Sequence, residues 1–389
     1  MPGDRQDLQA RGYDTGGGMK VAVIGGGING VMTAWAFARR GDSVDLYEKG
    51  QLMSATSRFS SKMLHGGLRY LEFGHLGLVR EALQERSWWI RQAPHLVSPL
   101  ELLVPIHLCG ERPKWLVGAG IRLYDLLAKG SGFPRGRWYH PDEVVERIPG
   151  LKRERLLGAY GYWDARMDDY RLGLWAADRA RESGATIHER TPVLKVDPAT
   201  GELSTDACVV CYDRVVNVAG PWAERLLVRS GVTSAYRLEL IRGSHIVVPG
   251  KRLQGCVLQV PGGRRILFVL PHGENTLLGT TEVSQDDPDH CAPSDEEIDY
   301  LSANYSRCFS NSIARQDIIA SFAGIRPIVA SKSHFSAASR ESVIERQGRL
   351  INVFGGKWTT SRALADAVVV KSQHGENTWK SGSSTRRAG

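Results

Sequence analysis

Residues 20–49 read KVAVIGGGINGVMTAWAFARRGDSVDLYEK, and the order of residue types in this stretch decides the fold. Two short Val-rich runs, KVAVIG and SVDLYEK, flank a segment of helical length that closes on Arg39-Arg40-Gly41, a helix-stop signal. Strand, glycine turn, helix and strand in that order make a βαβ unit. Gly25, Gly27 and Gly30 form GxGxxG at the strand-to-helix turn. There, backbone N–H groups and the positive helix N-terminus can meet a pyrophosphate without interference from Cβ atoms. Glu48 follows at the end of the second strand, close to the spacing at which such units carry an acidic residue. A carboxylate at that place accepts hydrogen bonds from ribose hydroxyls and argues against a 2′-phosphate. The uncharged run between Lys20 and Arg39 approaches the length of a membrane span, roughly 18 residues or more. Gly25, Gly26, Gly27, Asn29 and Gly30 at its centre would break such a helix.

Further along, residues 75–93 have helical spacing, with Leu76, Val79, Leu83 and Trp89 near one face, and ELLVPIHL reads as a strand. Residues 166–184 read as another helix. TPVLKVD, the run ACVVCYDRVVNVAG and a helix opening at Pro221-Trp222-Ala223 suggest a return to the first sheet. RLELIRGSHIVVPG, CVLQV, RRILFVLP and NTLLGTTEV are β-rich runs separated by Gly and Pro turns, the pattern of an antiparallel sheet. After a helix at 294–309, FAGIRPIV and LINVFGGKWTTSRALADAVVV supply a final strand, glycine turn and helix.

A chain of 389 residues, 42 % hydrophobic and 24 % charged, is large enough for two cores. Its 50 Lys and Arg against 42 Asp and Glu leave a net charge of +8. That balance suits an anionic substrate, cofactor or membrane surface. The basic residues are scattered and no nucleic-acid-binding motif is present, so nucleic acid is not an expected partner. Six Cys in this length point to a reduced, intracellular protein rather than a disulfide scaffold. Cys208 and Cys211 form a lone CxxC in a predicted strand, where side chains three apart face opposite ways and chelate poorly, so no metal is expected. Residues 1–18 are polar and Gly-rich, without the apolar run of a signal peptide. They read as a disordered lead-in, or as residues ahead of a true start at Met19. The expected location is cytoplasmic, with any membrane contact peripheral, on the inner face.

NAD and FAD share the GxGxxG fingerprint, so residues elsewhere must separate them. In FGGKWTT, Gly355 and Gly356 precede a helix far from the first motif and offer a second place for backbone to approach an extended cofactor. A nicotinamide enzyme needs no such loop. The polar stretch ATSRFSSKMLHGGLRY, residues 55–70, can likewise line a ribityl chain and pyrophosphate.

At GGGINGV, SSKMLHGGLRYLE, LVREALQER, GSHIVVP, AGIRPI and FGGKWTT the chain resembles FAD-dependent glycerol-3-phosphate dehydrogenase, one of the flavoproteins related to D-amino-acid oxidase. The resemblance runs from Met19 to about Val370. It implies an α/β protein: a Rossmann-type FAD-binding domain with an α+β substrate (cap) domain built on an antiparallel sheet. The FAD-binding part is expected at 19–95, 151–235 and 321–372, the cap at 96–150 and 236–320, with a polar tail at 373–389. The resemblance also implies oxidation of sn-glycerol 3-phosphate to dihydroxyacetone phosphate by hydride transfer from C2 to flavin N5, with a quinone or another acceptor taking the electrons.

Carried over position by position, the resemblance places Arg69, Tyr70, His245, Arg326, Arg340 and Lys357 at the substrate. Arg and Lys offset a phosphate ester by charge-assisted hydrogen bonds, and a neutral His245 can accept the C2 hydroxyl proton. His245, Arg326 and Lys357 are the expected catalytic set. Cofactor contacts fall on Gly25, Gly27, Ile28, Asn29, Gly30, Glu48 and Lys49 of the first βαβ unit. The next segment adds Thr56, Ser57, Ser61, Lys62, Gly66, Gly67 and Leu68. Val193, Ala219 and Gly220 follow, and Gly355, Gly356, Lys357 and Thr359 close the set. Arg340 is followed by Glu341 and then by Ser342, where the family has an aromatic after the acidic residue, and Trp358 stands where an aliphatic residue is expected. Family members usually continue into a helical domain beyond FGGK, whereas this sequence ends in a polar stretch at Gly389; dimerisation, acceptor access and the physiological substrate are the properties that difference touches. Another phosphorylated polyol, a 2-hydroxy acid or an amine remains an alternative substrate, and a flavin-binding protein without turnover is the alternative from a different class.

Overall fold

A computed structural model of the chain describes residues 18–108, 110, 112–261, 265–330, 342–373 and 379–380. The expected lead-in, Arg340 and most of the polar tail lie outside these residues. The chain divides into two compact units. One comprises the described residues of Met1–Arg58, Asp169–Leu240 and Arg326–Gly389; the other comprises Phe59–Asp168 and Ile241–Ile325.

The first unit is built on a seven-stranded sheet in the order Trp379–Lys380, Val343–Gln347, Leu350–Phe354, Arg214–Asn217, Lys20–Ile24, Ser43–Tyr47, Thr186–His188. The five strands from Leu350–Phe354 to Thr186–His188 are parallel, and Val343–Gln347 turns back antiparallel on Leu350–Phe354. Lys20–Ile24 lies between neighbours on both sides, so Val21, Ala22 and Val23 are fully buried and the strand reads as an unbroken apolar run. Helix Ile28–Arg40 follows the glycine turn and ends where Gly41 adopts the left-handed conformation, φ 95°, with its N–H donating to Ala38 O. Helices Asp169–Glu182 and Ser361–Gln373 pack on Ile28–Arg40. The unit is the Rossmann-type α/β domain that the opening βαβ motif implies.

The second unit carries a ten-stranded sheet. Its main path runs Val283–Gln285, Leu238–Pro249, Asn275–Gly279, Ile266–His272, Gly255–Gln259, Val97–His107, Leu156–Met167, Met63–Leu64. Ala320–Val329 pairs with Leu238–Pro249, and Arg137–Tyr139 with Leu156–Met167. Gly255–Gln259 runs parallel to Val97–His107, while the hairpins around them are antiparallel. Alternation along Val97–His107 explains its composition. Leu100, Leu102, Val104 and Ile106 pack with Val79, Leu83, Val117, Ile121 and Tyr124 of the helices Leu76–Gln92 and Lys114–Leu127. Leu103 faces the other way, into a core with Val144, Leu301 and Tyr305 from helices Pro141–Arg147 and Asp295–Cys308. Both faces are covered, so the strand is apolar without a break from Leu102 to Ile106.

Several sequence expectations change. ACVVCYDRVVNVAG is two strands, Val209–Cys211 and Arg214–Asn217, in different sheets. Tyr212 and Asp213 separate them, and the Asp213 carboxylate accepts from the Lys20 backbone N–H at 2.8 Å. Cys208 and Cys211 are exposed thiols outside any disulfide. The helix expected at 166–184 starts at Asp169, because Leu156–Met167 is a strand. Residues 59–95 and 151–168, expected in the FAD-binding part, cluster with the second unit instead. Met63–Leu64 and Val97–His107 both pair with Leu156–Met167, and these long-range pairings outweigh chain proximity.

Helix Asp295–Cys308 opens with a capping box: Glu297 N–H donates to Ser294 Oγ and Ser294 N–H donates to the Glu297 carboxylate, 3.0 Å. The same carboxylate accepts from Thr281 Oγ1 at 2.5 Å and pairs with Arg242 at 2.8 Å. Burial opposes ionisation of Glu297, but the Thr281 and Ser294 hydrogen bonds and the Arg242 charge together hold its pKa below the ordinary value. A depressed folded-state pKa contributes stability that is present above the unfolded carboxyl range, about pH 4, and is lost as pH falls through the folded value. Glu297→Gln should therefore flatten the acid side of the stability–pH curve while lowering stability at neutral pH. Urea denaturation between neutral and acid pH reads both effects, and an unchanged acid limb would contradict the assignment.

Candidate functional site

The glycine turn is tight because three backbone segments meet there. A Cβ at Gly30 would overlap the carbonyl oxygen of Gly25, and one at Gly25, φ +117°, would lie 2.6 Å from Val218 O. The first helical turn can thus sit flush on strand Lys20–Ile24 and on the end of Arg214–Asn217, beside Ala219 and Gly220. Gly27 occupies the helix N-cap with no side-chain cap; instead Ser57 Oγ accepts from the Ile28 N–H at 2.9 Å.

Glu48 is fixed by the turn it serves: Gly26 N–H donates to Oε2 at 2.6 Å and Gly50 N–H donates to Oε1 at 2.7 Å. Each carboxylate oxygen keeps a second lone pair for a hydroxyl. Thr191 N–H donates to Glu48 O and Arg190 N–H to Gly50 O, which brings the segment before Val193 alongside. The Val193 side chain points into the core with Tyr47, Val196 and Leu203. The Lys49 ammonium lies 3.7 Å from the Trp222 ring centre.

The C-terminal glycine pair comes to the same place. Gly355 (φ +79°) and Gly356 (φ +110°) lead from strand Leu350–Phe354 toward helix Ser361–Gln373. A Cβ on Gly356 would stand 2.5 Å from Asn29 Nδ2, so the pair packs directly on the first motif. Asn29 Oδ1 is buried with no hydrogen-bond partner among the described residues. Trp358, unexpected at its position, donates from Nε1 to Ser57 O at 2.8 Å and ties FGGKWTT to the 56–57 segment. Thr359 is buried beside it. The first unit thus joins sequence-distant segments around Cβ-free backbone and an orphaned amide oxygen. That donor and acceptor set fits an extended dinucleotide whose pyrophosphate meets backbone N–H groups.

Within the second unit, His245 lies on Leu238–Pro249, paired across to Gly279. A Cβ at Gly279 would collide with the imidazole, so the missing side chain makes room for the ring. Ser61 Oγ is 2.9 Å from His245 Nε2, and Phe322 stacks on the ring at 4.9 Å and 16°. The Lys62 ammonium is 5.3 Å from the Phe322 ring centre. Ser61 is therefore joined to His245 and Lys62 lies over Phe322, while Gly66 and Gly67 lead into the 3-10 turn Leu68–Phe73 that carries Leu68, Arg69 and Tyr70 in the same unit. Arg326, on Ala320–Val329, and Lys357 belong to the first unit.

Sequence reading missed Phe322, whose ring fixes the plane of the imidazole, and the buried residues Arg86, Tyr124 and Asp164 behind Gly66. A signal existed for Arg86: it falls on the apolar stripe Val79, Leu83, Arg86, where a charge is out of place. Among the described residues no helix is long and apolar enough to cross a membrane. No cluster of three potential metal ligands occurs among them either.

The FAD dependent oxidoreductase family matches residues 20–369. A glycerol-3-phosphate dehydrogenase of Pseudomonas aeruginosa is 40 % identical over 375 residues, covering 91 % of this chain and 71 % of that protein. A D-erythritol 1-phosphate dehydrogenase of Brucella abortus is 37 % identical, covering 90 % of this chain and 73 % of its own. The crystal structure of a glycerol-3-phosphate dehydrogenase from Bacillus halodurans complexed with FAD superposes with a TM-score of 0.74 at 24 % identity, covering 96 % of this chain and 69 % of that one. With a family match across nearly its whole length and relatives of this closeness, the chain belongs to the FAD-dependent oxidoreductases, to their glycerol-3-phosphate dehydrogenase group, and FAD is its cofactor.

Proposed function

We propose that the protein oxidises the secondary hydroxyl of a small phosphorylated polyol, with sn-glycerol 3-phosphate as substrate and dihydroxyacetone phosphate as product. The observation that carries this reading is the treatment of His245: a ring bounded by Ser61, Phe322 and Gly279 is held in one orientation. A neutral imidazole so fixed is a competent base for a hydroxyl proton near pH 7. Bound FAD supplies the two-electron acceptor for the hydride on C2, and a quinone is the proposed onward acceptor.

The residues of the chain have separable tasks. His245 takes the C2 hydroxyl proton, with Ser61 biasing which ring nitrogen carries the hydrogen. Arg69, Tyr70, Arg326 and Lys357 offer hydrogen bonds and positive charge to a phosphate ester, which a neutral polyol would leave unused. In the first unit Gly25, Gly27, Ile28, Asn29 and Gly30 receive the pyrophosphate, Glu48 the adenosine ribose, and Gly355, Gly356 and Thr359 the far side of the same cofactor. Lys49, Thr56, Ser57, Val193, Ala219 and Gly220 line the rest in the first unit. A second reading, a longer phosphorylated polyol, is favoured by the 37 % identity to the D-erythritol 1-phosphate enzyme.

Anaerobic mixing of the FAD-loaded protein with glycerol 3-phosphate tests the proposal, and the flavin absorbance should bleach. Bleaching by D-erythritol 1-phosphate alone would select the second reading, and bleaching by neither would reject both. His245→Gln should keep FAD bound while lowering kcat by about 10²- to 10⁴-fold, the usual range for loss of a general base. An unchanged kcat would remove His245 from the proton transfer. Gly27→Val should leave the fold intact, since Gly27 has φ −74°, yet abolish flavin retention by filling the pyrophosphate position. Circular dichroism and the absorbance ratio of the purified variant read the two effects, and a folded yellow variant would contradict the placement.

A further inference from the structure

Resting on that reading, we propose that Arg86, Tyr124 and Asp164 form a buried positioning device for the segment His65–Tyr70, which sets how tightly the phosphate end of the substrate is held. The three residues come from different elements: helix Leu76–Gln92, helix Lys114–Leu127 and strand Leu156–Met167. They are 0 %, 1 % and 1 % exposed. Their hydrogen bonds converge on one atom. Asp164 Oδ1 accepts from Arg86 Nη1 at 2.6 Å, from the Tyr124 hydroxyl at 2.7 Å and from the Gly66 backbone N–H at 3.3 Å. Gly66 N–H also donates to Tyr124 Oη at 2.9 Å, and Arg86 Nη1 to Trp163 O at 2.8 Å.

The backbone at Gly66 lies hard against this set. A Cβ there would stand 2.6 Å from both Tyr124 Oη and Leu83 Cδ2. One residue on, Gly67 has φ +74° and caps the turn Leu68–Phe73, with Tyr70 N–H donating to Gly67 O at 2.8 Å. The amide grasped by Tyr124 and Asp164 thus adjoins the cap of the turn that delivers Arg69 and Tyr70. Burial, and then the Asp164 charge, push the Tyr124 phenol far above its ordinary pKa, so it stays a donor at all working pH values.

Stability alone does not account for the arrangement. A buried ion pair is generally matched or exceeded by well-packed apolar residues of similar volume, so its presence is weak grounds for a stabilising role. What apolar residues cannot do is hold one backbone N–H in one place. A displacement near 1 Å at a substrate-binding group is enough to cost about 10²-fold in rate, which gives the positioning function its weight.

The test uses the full-length FAD-loaded protein carrying Tyr124→Phe, with glycerol 3-phosphate as substrate and inorganic phosphate as a competitive inhibitor. Loss of one buried hydrogen bond on the Gly66 amide should raise KM for glycerol 3-phosphate and the phosphate inhibition constant together, each about 10-fold, with kcat within about 2-fold. Leu103→Ala, in the core on the opposite face of the same sheet, should lower Tm and leave both constants unchanged. Should Tyr124→Phe fail to give folded protein, Asp164→Asn makes the same test, because it removes the charge that strengthens the bonds from Arg86, Tyr124 and the Gly66 N–H while keeping the shape of the side chain. Wild-type constants in a folded variant, or a fall in kcat at constant KM, would overturn the proposal. Protection of the wild-type from heat by inorganic phosphate, and its loss in Tyr124→Phe, reads the inference without turnover. Wild-type protection without flavin bleaching by any polyol phosphate therefore rejects the proposed reaction and keeps the device, whereas equal protection of the variant rejects the device.

Discussion

The first unit depends on how closely three lengths of backbone approach at one corner: the end of Lys20–Ile24, the start of Ile28–Arg40 and the end of Arg214–Asn217. Any side chain at Gly25 or Gly30 would push them apart. Because no Cβ intervenes, the helix N-terminus opens directly at the carboxyl end of the parallel strands, where ligands bind in such sheets. Glu48 is then held by Gly26 and Gly50 rather than left to solvent, so its orientation is settled before any cofactor arrives. Ser57, Gly356 and Trp358 complete the corner, the first from the segment after the βαβ unit and the other two from near the far end of the chain.

The second unit treats polar groups differently. Its sheet is buried on both faces, and into these apolar layers it admits a few charged residues, each with partners. Glu297 is held by Thr281, Ser294 and Arg242, and Asp164 by Arg86, Tyr124 and Gly66. Both carboxylates brace backbone beside residues proposed to act on the substrate: Thr281 Oγ1 also accepts from Ser244 N–H, next to His245, and Gly66 precedes Arg69 and Tyr70. Rigid support of this kind is what holds a base or an anion-binding group within the tolerance that catalysis demands.

Legibility in the sequence followed the range of the interactions. The βαβ unit, the helix stop at Gly41 and the helix that opens at Ser294 are local, and the residues announced them. The strand Leu156–Met167 was missed because its Tyr, Trp, Asp and Arg obscure the alternation that would mark it. Helix Lys114–Leu127 was missed because Gly118 and Gly120 interrupt its pattern. Gly118 has a reason only the fold shows: a Cβ there would collide with the Tyr160 ring. The single strand expected at 207–220 became two because the Asp213 carboxylate is engaged by the Lys20 amide, a partner distant in the chain.

By itself the sequence determined the Rossmann-type turn and the helix that follows it, since these follow from the conformational freedom and small size of glycine at fixed spacings. The resemblance of its motifs named the family. Tertiary structure alone decided which unit owns residues 59–95, that Gly356 packs on Asn29, that Trp358 serves Ser57, and that Phe322 and Ser61 orient His245. It alone placed an arginine, a tyrosine and an aspartate behind one glycine amide. Those facts depend on pairings between segments far apart in the chain, whose free energy comes from burial and hydrogen bonding across the fold, and no local pattern of residues encodes which distant partner will be met.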